Sequence, residues 1–369
     1  MRTWAAGAAG ASVASSTAWA VPHRIGSGDD LVTISRAWPG SDKHGAVRVT
    51  VEGRDPHGRL RAGTVGPDGS VDLLPTGADP RLPALARLAP EAELVVHRAG
   101  RRAVLRHTGG YTKIVRPGRS EGVAEAARAG RRLALAAGLD APDVVRHQPE
   151  DAAVTMTVLP GRPVSDLSAG ADWQRIWATW ATAWTRLQEL DPARHAPGLA
   201  PHTSADEAEV VGRWAGRASA AGVLPDVWVR RAEHAQARLA AAGEAERLVP
   251  THRDLHDKQL LWDGERLGVL DLDTACLADP VVDPANLAVH ADLRRAQGEW
   301  SHAAARTVEV TAQLVARVAG VDGERWQAAR LATVARLACV YAFRPTWREL
   351  VLDWASDRWV ALGGGHATA

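Results

Sequence analysis

The segment Thr251-His252-Arg253-Asp254-Leu255-His256-Asp257-Lys258-Gln259 gathers two carboxylates, two imidazoles, a lysine and an amide. Two apolar runs follow, Leu260-Leu261-Trp262 and Leu267-Gly268-Val269-Leu270. Asp263-Gly264-Glu265-Arg266 joins them, and Asp271-Leu272-Asp273 closes the stretch. An Asp-Gly loop between apolar runs predicts a β-hairpin. Pairing Trp262 with Leu267 sets Gln259 opposite Leu270 and Lys258 opposite Asp271, and paired residues lie about 5 Å apart. The hairpin thereby folds Asp271 back beside the loop that carries Asp254.

Such a cluster has the parts that phosphoryl transfer needs. A carboxylate must orient an attacking hydroxyl and take its proton, oxygen ligands must hold Mg²⁺ on the phosphates, and a cation must fix the nucleotide. Asp254 suits the first role. Asp271 suits the second, with the Gln259 oxygen as helper. Lys113 suits the third. Of 44 basic residues only Lys43, Lys113 and Lys258 are lysines, so a retained lysine marks a place where a compact ammonium is needed. Glu121 and Glu125 share a helix face four residues apart, and Glu125 is the preferred partner for Lys113. Lys258 is read either as a partner of Asp271 or as a catalytic contact to the transferred phosphate.

The positioning elements follow from local patterns. Strands are expected at 31–35, 46–51, 60–65 and 71–74, with turns at Asp55-Pro56-His57-Gly58 and Gly66-Pro67-Asp68-Gly69. Three more are expected at 94–98, 103–107 and 111–116. Ser120 is a candidate N-cap for a helix to Ala137, with Gly138 as its stop. Two further strands are expected at 144–145 and 154–158. From Asp172 onward the pattern is helical, and Trp173, Trp177, Trp180 and Trp184 form one apolar face that reads as core.

His252-Arg253-Asp254-Leu255 with an amide at 259 resembles the kinase catalytic-loop signature. With Asp271 and Asp279-Pro280-Val281-Val282-Asp283, it resembles the aminoglycoside phosphotransferase and choline kinase-like family. The resemblance implies an α+β, bilobal, protein kinase-like fold. It implies ATP with Mg²⁺ in the cleft, a small-molecule hydroxyl substrate, and adenine against the backbone near Thr157 and Val158. It also places the nucleotide-covering turn at His97–Arg102, with Gly100 and Arg102 as phosphate contacts. Two departures stand out: Gln259 replaces the usual Asn, and Asp273 occupies a common Gly position, where it would act as a replacement metal ligand.

The expected organisation is a flexible tail at 1–29, an extra N-terminal β-rich cap-like subdomain at 30–92, an N-lobe at 93–160 and a helical C-lobe at 161–369. The extension is similar in position to the cap of maltokinase-like relatives. Residues 1–20 only faintly resemble a secretory signal, being rich in small residues and poor in leucine. A net charge of +1 gives no case for nucleic acid or membrane partners. Two cysteines, Cys276 and Cys339, fit a reduced, cytoplasmic setting. A competing expectation, motivated by Gln259 and the glycine-poor turn, is a catalytically degenerate kinase fold that binds nucleotide or acts as a scaffold. A protein kinase is disfavoured, because Asp279 follows Asp271 by only eight positions and leaves no room for a long activation loop.

Overall fold

The computed structural model describes residues 19–41, 47–167 and 170–365. Its first layer is a five-stranded meander of β1 (Arg24–Ile25), β2 (Val32–Ser41), β3 (Val47–Arg54), β4 (Leu60–Val65) and β5 (Val71–Leu73), in that spatial order. The turns are made by side chains that mimic backbone acceptors. Asp55 Oδ1 accepts the N–H groups of His57 and Arg59, and Asp68 Oδ1 accepts that of Ser70. Gly58 and Gly69 take φ of 77° and 80°, a region costly for any residue with a Cβ.

A short helix α1 (Ala84–Leu88) leads to the second sheet: β6 (Glu93–Arg98), β7 (Arg102–His107), β8 (Gly110–Val115), β9 (Val144–Gln148) and β10 (Ala153–Met156), ordered β6-β7-β8-β10-β9. Leu82, Leu85, Leu105 and Ile114 fill the core between this sheet and α1. Helix α2 (Ser120–Ala137) stops at Gly138, which is left-handed at φ 88°. Ser120 is not its cap. Arg119 holds the N-cap position without a side-chain bond, and buried Ser120 meets His147 instead.

The second half is helical: α3 (Trp173–Glu189), α4 (Pro192–His195), α5 (Ser204–Ala220), α6 (Asp226–Ala242), α7 (Val282–Ala296), α8 (His302–Val318), α9 (Gly323–Tyr341) and α10 (Arg348–Ala361). The tryptophan face of α3 is buried as core, with Trp173 edge-on to Trp177 and Trp300 at 5.5 and 5.0 Å. Two small sheets hold the loops between helices. One joins β11 (Arg162–Pro163), β14 (Leu260–Trp262) and β15 (Leu267–Val269); the other joins β12 (Pro201–His202), β16 (Cys276–Ala278) and β13 (Val249–Thr251).

The tail assigned to residues 1–29 needs correction in its visible part. Residues 1–18 lie outside the described residues. From Trp19 the chain packs down: β1 pairs with β2, and Val21 and Ile25 are buried. They join Ile34, Val49 and Val51 in a core shared with Trp228, Leu331, Phe343 and Trp359 of the helical lobe. Apolar residues every second position on β2 and β3 need a cover, and the helices supply it. Trp180 is fully buried in the other core. Trp180→Ala is expected to lower unfolding free energy by about 3–5 kcal/mol, read from the urea midpoint at unchanged slope.

Candidate active site

The hairpin β14–β15 has the register Trp262↔Leu267, Leu261↔Gly268 and Leu260↔Val269. Its ladder extends one bond further, from Leu270 N–H to the Gln259 carbonyl at 2.8 Å. It then breaks. Asp257–Gln259 curls into a 3-10 turn, and Asp271 turns left-handed at φ 55°. Lys258 therefore does not pair with Asp271; it is exposed and makes no ion pair among the described residues. The left-handed step aims Asp271 elsewhere. Lys113 Nζ, on β8, lies 3.7 Å from Asp271 Oδ1 and 2.5 Å from Asp273 Oδ2. The Lys113 side chain is only 6% exposed. A buried ammonium is tolerable only with such partners.

Glu125 is not the lysine's partner. It is exposed on α2 and forms no ion pair among the described residues, while its face-mate Glu121 meets His147. On α2, Gly130 lies against Leu272 of the Asp271–Asp273 turn. A Cβ there would stand 2.4 Å from Leu272 Cβ, so the glycine lets the Asp271–Asp273 turn approach the helix.

The Asp254 loop is held by backbone-directed side chains. Asp283 is fully buried, and its oxygens accept the N–H groups of His252 and Arg253 at 2.7 and 2.8 Å. Burial pushes its carboxyl above the usual carboxylate range, against the lowering effect of His252 and these bonds. Asp283 thus serves the loop, from inside the first turn of α7, and does not cap that helix. His252 Nδ1 accepts from Asp254 N–H at 3.3 Å and Nε2 donates to the Leu270 carbonyl at 2.8 Å, tying the loop to the hairpin. Arg253 takes φ 72°, and the Thr274 hydroxyl donates to the His252 carbonyl. Asp254 itself is left half-exposed, with Arg336 Nη1 3.9 Å from Oδ1.

Asn286 and Arg336 were missed by sequence reasoning. Asn286 Nδ2 donates to the Leu255 carbonyl at 2.7 Å, and its oxygen accepts from Arg336 at 2.5 Å. Asn286 lies three residues after Asp283, so one helix face carries both loop supports. That spacing was a usable signal. Arg336 lies on α9, far along the chain, and no local pattern announces it.

The other expected contacts are placed differently. The Gly100 N–H already donates to Asp79 Oδ2 at 2.6 Å, so it is not free to meet a phosphate. Arg102 is opposite Arg98, and Val104 is opposite Lys113. Alternation puts Arg98, Arg102 and Lys113 on one sheet face. β10 ends at Met156, because Thr157 exchanges bonds with Asp143 through its N–H and hydroxyl. Val158 beside it is exposed, and among the described residues no hydrogen bond to it is found. The Gln259 amide turns towards His256, Nε2 to Nε2 at 3.5 Å, and among the described residues no hydrogen bond ties it to Asp271. Cys276 is buried, which pushes its thiol up to about 12 and leaves no thiolate.

Among the described residues, no group of three or more His, Cys, Asp or Glu side chains could by itself hold a metal. Asp271 and Asp273 are hard oxygen donors. They fit a cation such as Mg²⁺ that takes one or two protein carboxylates and completes its shell with phosphate and water. No helix among the described residues is long and apolar enough to cross a membrane.

Residues 91–338 match the family model described as the phosphotransferase enzyme family. No curated protein sequence matches the chain significantly. Among solved structures, the macrolide 2'-phosphotransferase MphH from Brachybacterium faecium is 21% identical, covering 73% of this chain and 89% of its own, with a TM-score of 0.45. Aminoglycoside phosphotransferase APH(3'')-Id from Streptomyces rimosus, in complex with ADP and streptomycin, is 23% identical, with coverages of 63% and 90% and a TM-score of 0.46. A choline/ethanolamine kinase family protein from Mesorhizobium loti is 17% identical, with coverages of 77% and 92% and a TM-score of 0.48.

Two outcomes follow from this geometry. Asp283→Ala leaves two inward N–H groups unpaired and should cost roughly 2–6 kcal/mol, with Asp283→Asn losing less; urea unfolding reads both. His256 and His290 stack at 4.9 Å, and burial holds both imidazoles below the ordinary histidine range. Arg294 and Arg336 add to this at His290, while Asp254 and Asp257 oppose it at His256. The unfolded chain binds these protons more readily. Stability is therefore fully present above about pH 6.5 and falls as the pH drops below it. Unfolding free energies between about pH 7.5 and 5.5 should decline less steeply in His290→Gln than in the wild type.

Proposed function

The chain belongs to the phosphotransferase enzyme family, and from that premise we propose that it transfers the γ-phosphate of ATP to a hydroxyl of a small molecule. The family match supports a small-molecule phosphotransferase with a bilobal protein kinase-like fold. One observation carries the finer reading. Lys113, from the N-terminal sheet, meets Asp271 and Asp273 beside the loop that presents Asp254.

In this mechanism Asp254 accepts a hydrogen bond from the acceptor hydroxyl, aims it at the phosphorus and takes its proton as the new P–O bond forms. Half-exposure lets a substrate reach it, and Arg336 keeps its carboxylate from swinging. Lys113 would bind nucleotide phosphate. Asp271 and Asp273 would hold Mg²⁺, which when bound would offset charge on the β- and γ-phosphates. Arg102, on the same sheet face as Lys113, would add a guanidinium near the phosphates. The adenine would lie against the chain at exposed Val158, and Lys258 would reach the transferred phosphate. The N-terminal sheet would act as a cap that fixes the two lobes. Sugars, amino sugars, aminoglycosides and amino alcohols all carry acceptable hydroxyls.

Gln259, turned to His256, favours the second reading of a degenerate nucleotide-binding fold. A screen of ATP consumption over those acceptors separates the two. Turnover with at least one acceptor is expected, and nucleotide binding without turnover would leave the second reading standing. With the acceptor found, Asp254→Asn should lower kcat by about 10²–10⁴ with little change in KM for ATP. Near-normal turnover would remove Asp254 as the base.

A further inference from the structure

A cavity of about 1030 Å³ opens between the N-terminal sheet, the β6–β7 turn and the C-terminal end of α5. Arg48, Arg81, Arg98, Arg101, Arg116 and Arg217 line it. Among the described residues only Arg48 has a carboxylate partner, Asp68. The other five form no ion pair with a described residue, though Arg116 donates to the Gly100 carbonyl and Arg98 lies over the Trp38 ring at 5.0 Å. The lining carboxylates offset this charge only in part. Asp79, held ionised by His97 and the N–H groups of Gly100 and Arg81, favours the Arg116 charge, and Asp72 is a single exposed group. Burial chiefly, with the neighbouring Arg101, Arg102, Arg344 and Arg217, pulls the Arg98 guanidinium down to about 10.

Five guanidinium groups around one cavity repel one another unless an anion joins them, and the planar fork of arginine matches phosphate oxygens in pairs. Thr50, Thr64 and Ser70 add hydroxyls to the wall. None of Lys113, Asp254, Asp271 or Asp273 lines this space. We propose that this cavity is a separate binding site for a small, multiply charged phosphate-bearing molecule, distinct from the place of the nucleotide. Its occupant would touch the β6–β7 turn, whose Gly100 is already held on both sides by cavity residues, Asp79 at the N–H and Arg116 at the carbonyl. Filling the cavity would therefore stiffen that turn.

The probe is pyrophosphate, titrated calorimetrically into the full-length protein with and without saturating ADP, with citrate as the carboxylate comparison. Pyrophosphate should bind with ADP present, more than tenfold tighter than citrate. Arg217→Ala and Arg81→Ala should each weaken it by about tenfold. Both residues are exposed, and unchanged melting of the variants without probe confirms their folding. Loss of the signal on adding ADP would place the anion at the nucleotide's own phosphate position and overturn the proposal. So would equal citrate binding, undiminished binding in both variants, or no binding at millimolar pyrophosphate.

Discussion

The ion pair from Lys113 to Asp273 and Asp271 is the constraint on which the site depends. It joins a strand of the first half to a turn 160 residues later. An ammonium this buried costs several kcal/mol without a charged partner. The sheet and the hairpin must therefore meet at this point for the chain to fold as it does. The left-handed Asp271 and the bare face of Gly130 are what let the turn come within reach. Pairs of this kind are often no stronger than an apolar substitute. Their use here is specificity of position, with carboxylates and a cation held where charge would have to be managed.

The N-terminal sheet reinforces the same geometry from the opposite side. Buried Glu52 accepts from Arg36 within the sheet at 2.7 Å and from His97 N–H of β6 at 2.6 Å. Arg344, at the end of the helical lobe, donates to the Ala37 carbonyl. One strand pair thus grips both lobes, with a shared apolar core behind it. Burial chiefly pushes the Lys258 ammonium down, and Arg36 adds a small repulsion there. The extension is accordingly part of the surroundings of the site and more than an appendage to it.

Local chemistry was legible in the sequence, and long-range partnership was not. The Asp-Gly loop and its apolar flanks specify the Trp262↔Leu267 register, because turn chemistry and alternation act within a dozen residues. The tryptophan stripe and the Gly138 stop are legible for the same reason. Extrapolation failed where a strand ends. Nothing in the residue types of Lys258 or Asp271 says that one side curls and the other turns left-handed. Glu125 had the right spacing and charge, yet it is exposed on α2, and the partners of Lys113 come from a turn of the other lobe. Residues 19–29 fall within the expected tail, whereas Val21 and Ile25 find cover only once the helices are assembled.

The most direct test of the central claim is a crystal structure with Mn²⁺ and a non-hydrolysable ATP analogue, the metal located by its anomalous scattering. On the proposed mechanism the Lys113 pair is a resting arrangement of catalytic groups. The account predicts Mn²⁺ on the Asp271 carboxylate and Lys113 Nζ moved onto nucleotide phosphate. A metal–nucleotide complex bound without Asp271, with Lys113 still on Asp273, would contradict it.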